Sequence, residues 1–151
     1  MGTTSLLFGI FAFLAAFNAG TMATLQIQHY GIYRFVGRTN FAEYIRANNR
    51  AALLPAILPA LLLLLVSLFL LVARPVFMSL GEASVAFTLN LAQLASTIIW
   101  QRKLQAEMAE TGYDDAKVQL LLTTNWIRTV AFLIEALLAT VILLRALGQT
   151  R

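Results

Sequence analysis

The stretch LLLLLVSLFLLV at positions 61–72 decides the fold class. Ser67 is its only polar residue, and it shows none of the apolar–polar alternation that a helix on a water-facing surface needs. With its apolar flanks it runs from about Ala51 to Ala73, the roughly 20 residues that a helix needs to cross a bilayer. Working outward, three more segments meet the same length: about Ser5 to Gln28, Ala83 to Trp100 and Leu120 to Leu144. Composition agrees, with 60% hydrophobic and 12% charged residues where a soluble domain carries roughly 25% charged residues. The 151 residues suffice for one domain. The predicted fold is therefore an all-α membrane protein: residues 1–151 form a single four-transmembrane-helix antiparallel bundle.

Composition also narrows the chemistry. The absence of cysteine excludes disulfides and thiolate metal sites, and a metal site would have to combine the single His29 with carboxylates. No metal and no other cofactor is expected. The net charge of +4 comes from scattered basic residues, which suits basic loops of a membrane protein and points to the lipid bilayer, with no nucleic acid partner. No Lys or Arg precedes Arg34, so the first apolar segment lacks the basic start of a signal peptide and reads as a retained helix.

The connections carry start and stop signals. Asn40 with Glu43, and Ser79 with Glu82, read as capping boxes that open the second and third helices. Arg74-Pro75 closes the second helix. Gly112 stops the third and Asp114 caps the fourth, which extends the third helix to about Thr111 and starts the fourth at Asp115. Lys103 and Glu107, four apart, are expected to pair on the exposed extension. Pro55 and Pro59 mark a kink or close packing in the early second span.

The Lys/Arg bias sets the predicted orientation. Arg34, Arg38, Arg46 and Arg50 fall in the first connection, and Arg102, Lys103 and Lys117 in the third. The opposite side has Arg74, Arg145 and Arg151. Both basic connections are expected in the cytoplasm and both termini outside. Tyr30, Tyr33, Phe35, Phe41 and Tyr44 suit a segment at headgroup level.

Polar residues within the spans are the functional candidates, because an ionisable side chain near a helix centre costs about 2.5–3.5 kcal/mol on insertion scales. Helical spacing sorts them into three stripes. Asn18, Met22, Gln26 and His29 share a face of the first helix; Asn90, Gln93, Thr97 and Gln101 share one on the third, beside Trp100. On the fourth helix Asn125, Arg128 and Glu135 share a face, flanked by Trp126 and Thr129. The second span has only Ser67 and is expected to be the most lipid-facing. Three polar stripes are expected to converge inside the bundle on a pocket, polar at its cytoplasmic mouth and more apolar with depth. Structural readings stand beside this one. Amides and hydroxyls also serve as interhelical glue, worth about 0.6 kcal/mol each. Arg128 can snorkel to headgroups or bridge to Glu135; His29 can be a headgroup contact, and Trp100 and Trp126 belt anchors.

One set of residues resembles a known family. Phe41-Ala42-Glu43-Tyr44-Ile45, then Asn49 and Pro55, a third helix ending in Gln101 and Leu104, and Asn125-Trp126-Ile127-Arg128-Thr129 resemble the four-helix membrane family that includes fungal anthrone oxygenases. The resemblance covers nearly the whole chain, and Asn-x-x-Arg-Thr is its most specific element. It implies oxidation of a tricyclic anthrone to an anthraquinone by molecular oxygen, without metal or flavin. It makes Asn125, Arg128 and Thr129 site residues, and its many bacterial members of unknown function imply a bacterial inner membrane. Where that pattern commonly has His between Asn and Arg, this chain has Trp126, so a base for anthrone deprotonation falls to His29 or Glu135. A looser similarity is to membrane glutathione transferases and eicosanoid enzymes, through Arg46, Asn49 and Pro55, with Ala52 standing where that family has Glu.

Together these readings predict catalytic roles for His29, Arg128 and Glu135. Asn18, Gln26, Asn90, Gln93, Thr97, Trp100, Gln101, Asn125, Trp126 and Thr129 are the expected ligand contacts. The expected ligand is a hydrophobic or aromatic small molecule. The alternative is a non-catalytic subunit or assembly protein of a larger membrane complex, docking through the plain second span; the partner expected is a second copy of the chain or such a complex. A transporter would need Gly/Pro-broken helix pairs that the sequence lacks.

Overall fold

The structure, a computed structural model, describes residues 2–148. Among them every regular element is helical. Helix α1 (Thr3–Thr24) continues through a π-helical turn (Leu25–His29) and a 3-10 turn (Tyr30–Phe35), giving one rod, Thr3–Phe35. A 3-10 turn (Arg38–Asn40) leads into the amphipathic α2 (Phe41–Ala51), which buries Phe41 and Ile45. A second π-helical turn (Leu53–Ile57) joins it to α3 (Leu58–Val72). Helix α4 (Leu80–Ser96), a third π-helical turn (Thr97–Gln101) and α5 (Arg102–Thr111) form another rod, and α6 (Asp115–Gly148) is unbroken.

Four of these rods are long and apolar enough to cross a membrane: Thr3–Phe35, Leu53–Val72, Leu80–Thr111 and Asp115–Gly148, here spans 1 to 4. Span 4, at 34 residues, is about 51 Å long. It exceeds a hydrocarbon core of about 30 Å. Helix α1 packs against α3 and α6, α4 packs against the same two, and α2 lies on α5. Each span therefore touches its sequence neighbours, and span 1 meets span 4, as in an up-down bundle.

The surface and interior are inverted relative to a soluble protein. Phe13, Leu54, Val72 and Leu137 are more than half exposed, while Asn18, Asn125 and Glu135 are fully buried. Water would not tolerate this surface but lipid does, and the chain is an integral membrane protein by this criterion. Two apolar clusters hold the bundle. One, centred on Phe8, Phe11, Leu63, Leu70, Phe132 and Ile142, fills the end away from the basic connections. The other, with Tyr30, Tyr33, Phe41, Ile45, Met108 and Leu121, fills the basic end. There the rings of Tyr30, Tyr33, Phe41, Tyr44 and Tyr113 meet mostly edge to face, and Tyr33 lies 5.7 Å from Phe41.

Most end signals operate as the sequence predicts. Ser79 Oγ accepts from the Glu82 N–H at 3.2 Å, and the Ser79 N–H donates to Glu82 at 2.8 Å, a complete capping box. Arg145 ties that cap to span 4, donating to Glu82 at 2.8 Å and to the Phe77 carbonyl at 2.9 Å. Asp114 Oδ1 accepts from the N–H groups of Ala116 and Lys117 at 2.9 and 3.1 Å. Span 2 ends at Val72, just before Arg74-Pro75.

Three expectations are corrected. Asn40 makes no capping bond, because the preceding 3-10 turn holds it at φ −104°, ψ 5°, away from the extended conformation of a cap. Glu107 pairs with Lys117 at 3.2 Å, across the connection, and not with Lys103 one turn away. The first rod runs on to Phe35, past the predicted end near Gln28, because the π-helical and 3-10 turns carry it forward. Arg151, counted with the less basic side, lies outside the described residues.

Gly112 closes span 3 at φ 82°, ψ −158°, a conformation essentially confined to glycine. Gly112→Ala is expected to cost about 1–3 kcal/mol, read as a lower thermal midpoint of the detergent-solubilised protein with its helical content unchanged.

Candidate functional site

A cavity of about 570 Å³ lies between spans 2 and 3, with span 4 at its back. This is within the usual range of small-molecule sites, roughly 300–1,000 Å³. Its outer wall is aliphatic: Leu53, Ile57, Leu61 and Leu64 from span 2 and its π-helical turn, and Leu94 and Ile98 from span 3. Leu53, Ile57, Leu61 and Ile98 are also exposed on the outside of the bundle, so the cavity borders the lipid-facing surface. The inner wall is polar. Asn90, Gln93 and Thr97 come from span 3 and Arg128 from span 4; Asn49, Arg102 and Gln105 close the basic end. Polarity therefore rises from the lipid side inward, whereas the sequence predicts a fall from mouth to depth. The cause is the packing order, since span 2 presents leucines opposite the polar stripe of span 3.

The proline-bearing turn explains how span 2 makes room. Pro55 lacks an N–H, and the Ala52 carbonyl accepts from both Ala56 and Ile57, at 3.1 and 3.2 Å. The doubled bond marks the passage from α- to π-helical spacing, a feature that frequently accompanies functional sites. All three π-helical turns lie toward the basic end, and two of them contribute cavity residues.

The deepest polar group is Glu135, with no solvent exposure. Asn90 Nδ2 donates to its Oε1 at 2.5 Å and Gln93 Nε2 to its Oε2 at 3.4 Å. Asn90 Nδ2 also lies 3.2 Å from Ser67 Oγ, so one asparagine joins spans 2, 3 and 4. Ser67, the lone polar residue of the leucine run, thus has a defined partner. Arg128 does not bridge to Glu135; none of the ion pairs among the described residues contains either. The Arg128 guanidinium instead donates to Asn125 Oδ1 at 3.4 Å and lies beside the Tyr30 hydroxyl. It turns into the bundle, so the snorkelling geometry is not adopted.

The predicted site residues separate into three groups. Asn90, Gln93, Thr97 and Arg128 line the cavity. Gln26, Asn125 and Thr129 form a second, fully internal network joining spans 1 and 4: Asn125 Nδ2 donates to Gln26 Oε1 at 2.8 Å, and Gln26 Nε2 to the Leu122 carbonyl at 3.1 Å. Gln101 joins a third, donating to Thr124 at 3.3 Å and accepting from Ser96 at 3.2 Å. Asn18 donates to the Leu14 carbonyl at 2.8 Å within its own helix. His29 is half-buried against Tyr33 and Tyr44, with ring centroids 5.4 and 6.4 Å away. Trp100 packs on the basic-end cluster, and Trp126 is 48% exposed on the lipid side. None of these last eight, nor Glu135, lines the cavity.

Helical register accounts for the misplacements. A π-helical turn inserts one residue, so every later side chain moves on by one position. Span 3 therefore follows Asn90, Gln93 and Thr97 with Arg102 and Gln105, and Gln101 turns toward Thr124. Span 1 follows Met22 and Gln26 with buried Tyr30 and Tyr33, and His29 leaves the inward face. Arg102, Gln105 and Ser67 were missed as cavity or network residues, and Asn49 was noted only within the family pattern.

No protein-family model, curated protein or solved structure matches the chain. The site's chemistry has to be argued from its own residues. Among the described residues no cluster of three or more His, Cys, Asp or Glu is placed to hold a metal ion.

Asn90→Leu would leave Glu135 short of its closest donor and is expected to cost about 1–3 kcal/mol. The double variant Asn90→Leu/Glu135→Leu removes both partners and should recover most of that loss. Chemical or thermal unfolding in detergent measures both; a double variant no more stable than the single one would contradict the network.

Proposed function

We propose that this integral membrane protein receives a hydrophobic or aromatic small molecule from the bilayer into the cavity between spans 2 and 3. The observation that carries the reading is the division of one cavity into an aliphatic wall at the lipid surface and a polar wall bearing Arg128, Asn90 and Gln93. An apolar body is accommodated by the first, and a polar group is oriented by the second.

The resemblance to anthrone oxygenases supplies a catalytic version of this reading. An anthrone and molecular oxygen would give an anthraquinone and water, with loss of a proton from the ring methylene as the first step. His29 stands outside the cavity, and Glu135 lies behind Asn90 and Gln93. Deprotonation by Glu135 would need Gln93 to swing aside. The geometry therefore favours binding as the primary property, with oxidation as its extension.

Native mass spectrometry of the protein purified in mild detergent is expected to find a co-purifying small molecule, lost in Arg128→Ala while the bundle still assembles. Retention of the molecule by Arg128→Ala would place it elsewhere. Recovery only within a larger hetero-complex, with no such molecule, would favour the subunit reading. Conversion of added anthrone to anthraquinone under oxygen would establish catalysis.

The orientation belongs to the same proposal: the basic connections face the cytoplasm of a bacterial inner membrane. A C-terminal alkaline phosphatase fusion should be active and a fusion after Gly112 inactive; the reverse pattern would invert the protein in the membrane.

A further inference from the structure

We infer that the cavity selects amphiphiles bearing a single anionic head, a carboxylate or a phosphate monoester, which Arg128 receives while the tail lies along the aliphatic wall. This rests on the pocket reading above and names its ligand class.

The argument begins with charge. Among the described residues two guanidinium groups, Arg128 and Arg102, line the cavity, and no Asp or Glu does. Neither arginine takes part in any ion pair among the described residues, where Arg38, Lys117 and Arg145 all have carboxylate partners. The buried carboxylate on the same helix as Arg128, Glu135, is already engaged by two amide donors. Arg128 is thus a cation inside a membrane span whose protein neighbours, Asn125 and Tyr30, are neutral. Cations at such depth are found paired or facing a polar cavity.

Geometry points the same way. Arg128 stands eight residues inside Leu120, about 12 Å along the helix. Its buried Nε has no hydrogen-bond partner, and its other polar contacts are Asn125 Oδ1, 3.4 Å from one Nη, and the Tyr30 hydroxyl beside the group. A guanidinium with an edge to spare presents parallel N–H groups that match the two oxygens of a carboxylate or phosphate. Arg102 stands at the basic end of the cavity, where it adds a second positive charge to the wall. Leu61, Leu64, Leu94 and Ile98 form the wall opposite, continuous with the lipid-facing surface. A ligand with an anionic head and an apolar tail is already oriented by the bilayer. A neutral ligand of the same shape would leave Arg128 without a counter-charge.

The test uses the full chain in dodecyl maltoside with cis-parinaric acid and its methyl ester. Energy transfer from Trp100 and Trp126 reports binding, with the micelle-only signal subtracted. The acid is expected to bind at least about tenfold more tightly than the ester, the effect of one charge-assisted hydrogen-bonded pair. Arg128→Gln should bring the two within about twofold, and Arg128→Lys should fall between, keeping the charge but losing the fork. Circular dichroism checks that each variant remains helical. Should Arg128→Gln fail to fold, the acid-to-ester ratio of the unaltered protein decides alone. Displacement by dodecyl phosphate more readily than by dodecanoate assigns the head to a phosphate monoester, and the reverse order assigns it to a carboxylate. Equal binding of acid and ester would overturn this inference and leave the pocket reading intact. Binding of neither would overturn the pocket reading itself.

Discussion

A polar side chain within hydrocarbon has to find its partner inside the protein, and Glu135 is where that constraint is most severe. Its carboxyl group has no exposure and no cationic partner among the described residues, and amides from Asn90 and Gln93 hold it. Because Asn90 also reaches Ser67, the obligation fixes three of the four spans against one another at one level. The remaining networks repeat the principle toward the basic end. Gln26 and Asn125 join spans 1 and 4, and Gln101 and Thr124 join spans 3 and 4. Lipid offers no competing partners, so these bonds set which helix faces turn inward while aliphatic packing fills the space between them.

The cavity follows from the same arrangement. Asn90 and Gln93 turn toward Glu135, and span 2 answers them with leucines and one serine. Two π-helical turns toward the basic end, one of them bearing Pro55, line the space between spans 2 and 3. What results is a space with a committed side and an uncommitted side. The deep amides are occupied with Glu135, whereas Arg128 and Arg102 have no acidic partner among the described residues. In the proposed function the arginines supply the charge that recognition needs, and the amides hold the wall in place.

The four spans, their connections and the long extensions of the third and fourth were legible because hydropathy and capping are local properties. Leu61–Val72, Ser79 with Glu82, Gly112 and Asp114 each act through their nearest neighbours in the chain. The polar faces were legible only as far as the helices remain α-helical. Asn90, Gln93 and Thr97 precede or begin the third π-helical turn and stand where a 3.6-residue period puts them. Gln101 ends it and does not. His29, at the end of the first such turn, fails for the same reason. Nothing in Thr97-Ile98-Ile99-Trp100-Gln101 announces a π-helical turn, since it contains neither Pro nor Gly. Arg128 and Glu135 share a helix face as predicted, but Glu135 meets its donors on span 3, whereas Arg128 meets Asn125 on its own helix and Tyr30 on span 1, which spacing along one helix cannot reveal.

The π-helical turn of span 3 also bears on how this chain would compare with any relative. It amounts to one extra residue between Thr97 and Gln101, absorbed without moving the helix on either side. A homologue lacking that residue would bring Arg102 and Gln105 to the same positions on an uninterrupted α-helix. The two sequences would then align through the cavity wall only if a gap were opened inside a membrane span, where alignments ordinarily allow none. A gapless alignment would pair Arg102 with the wrong residue and make an unchanged site look altered.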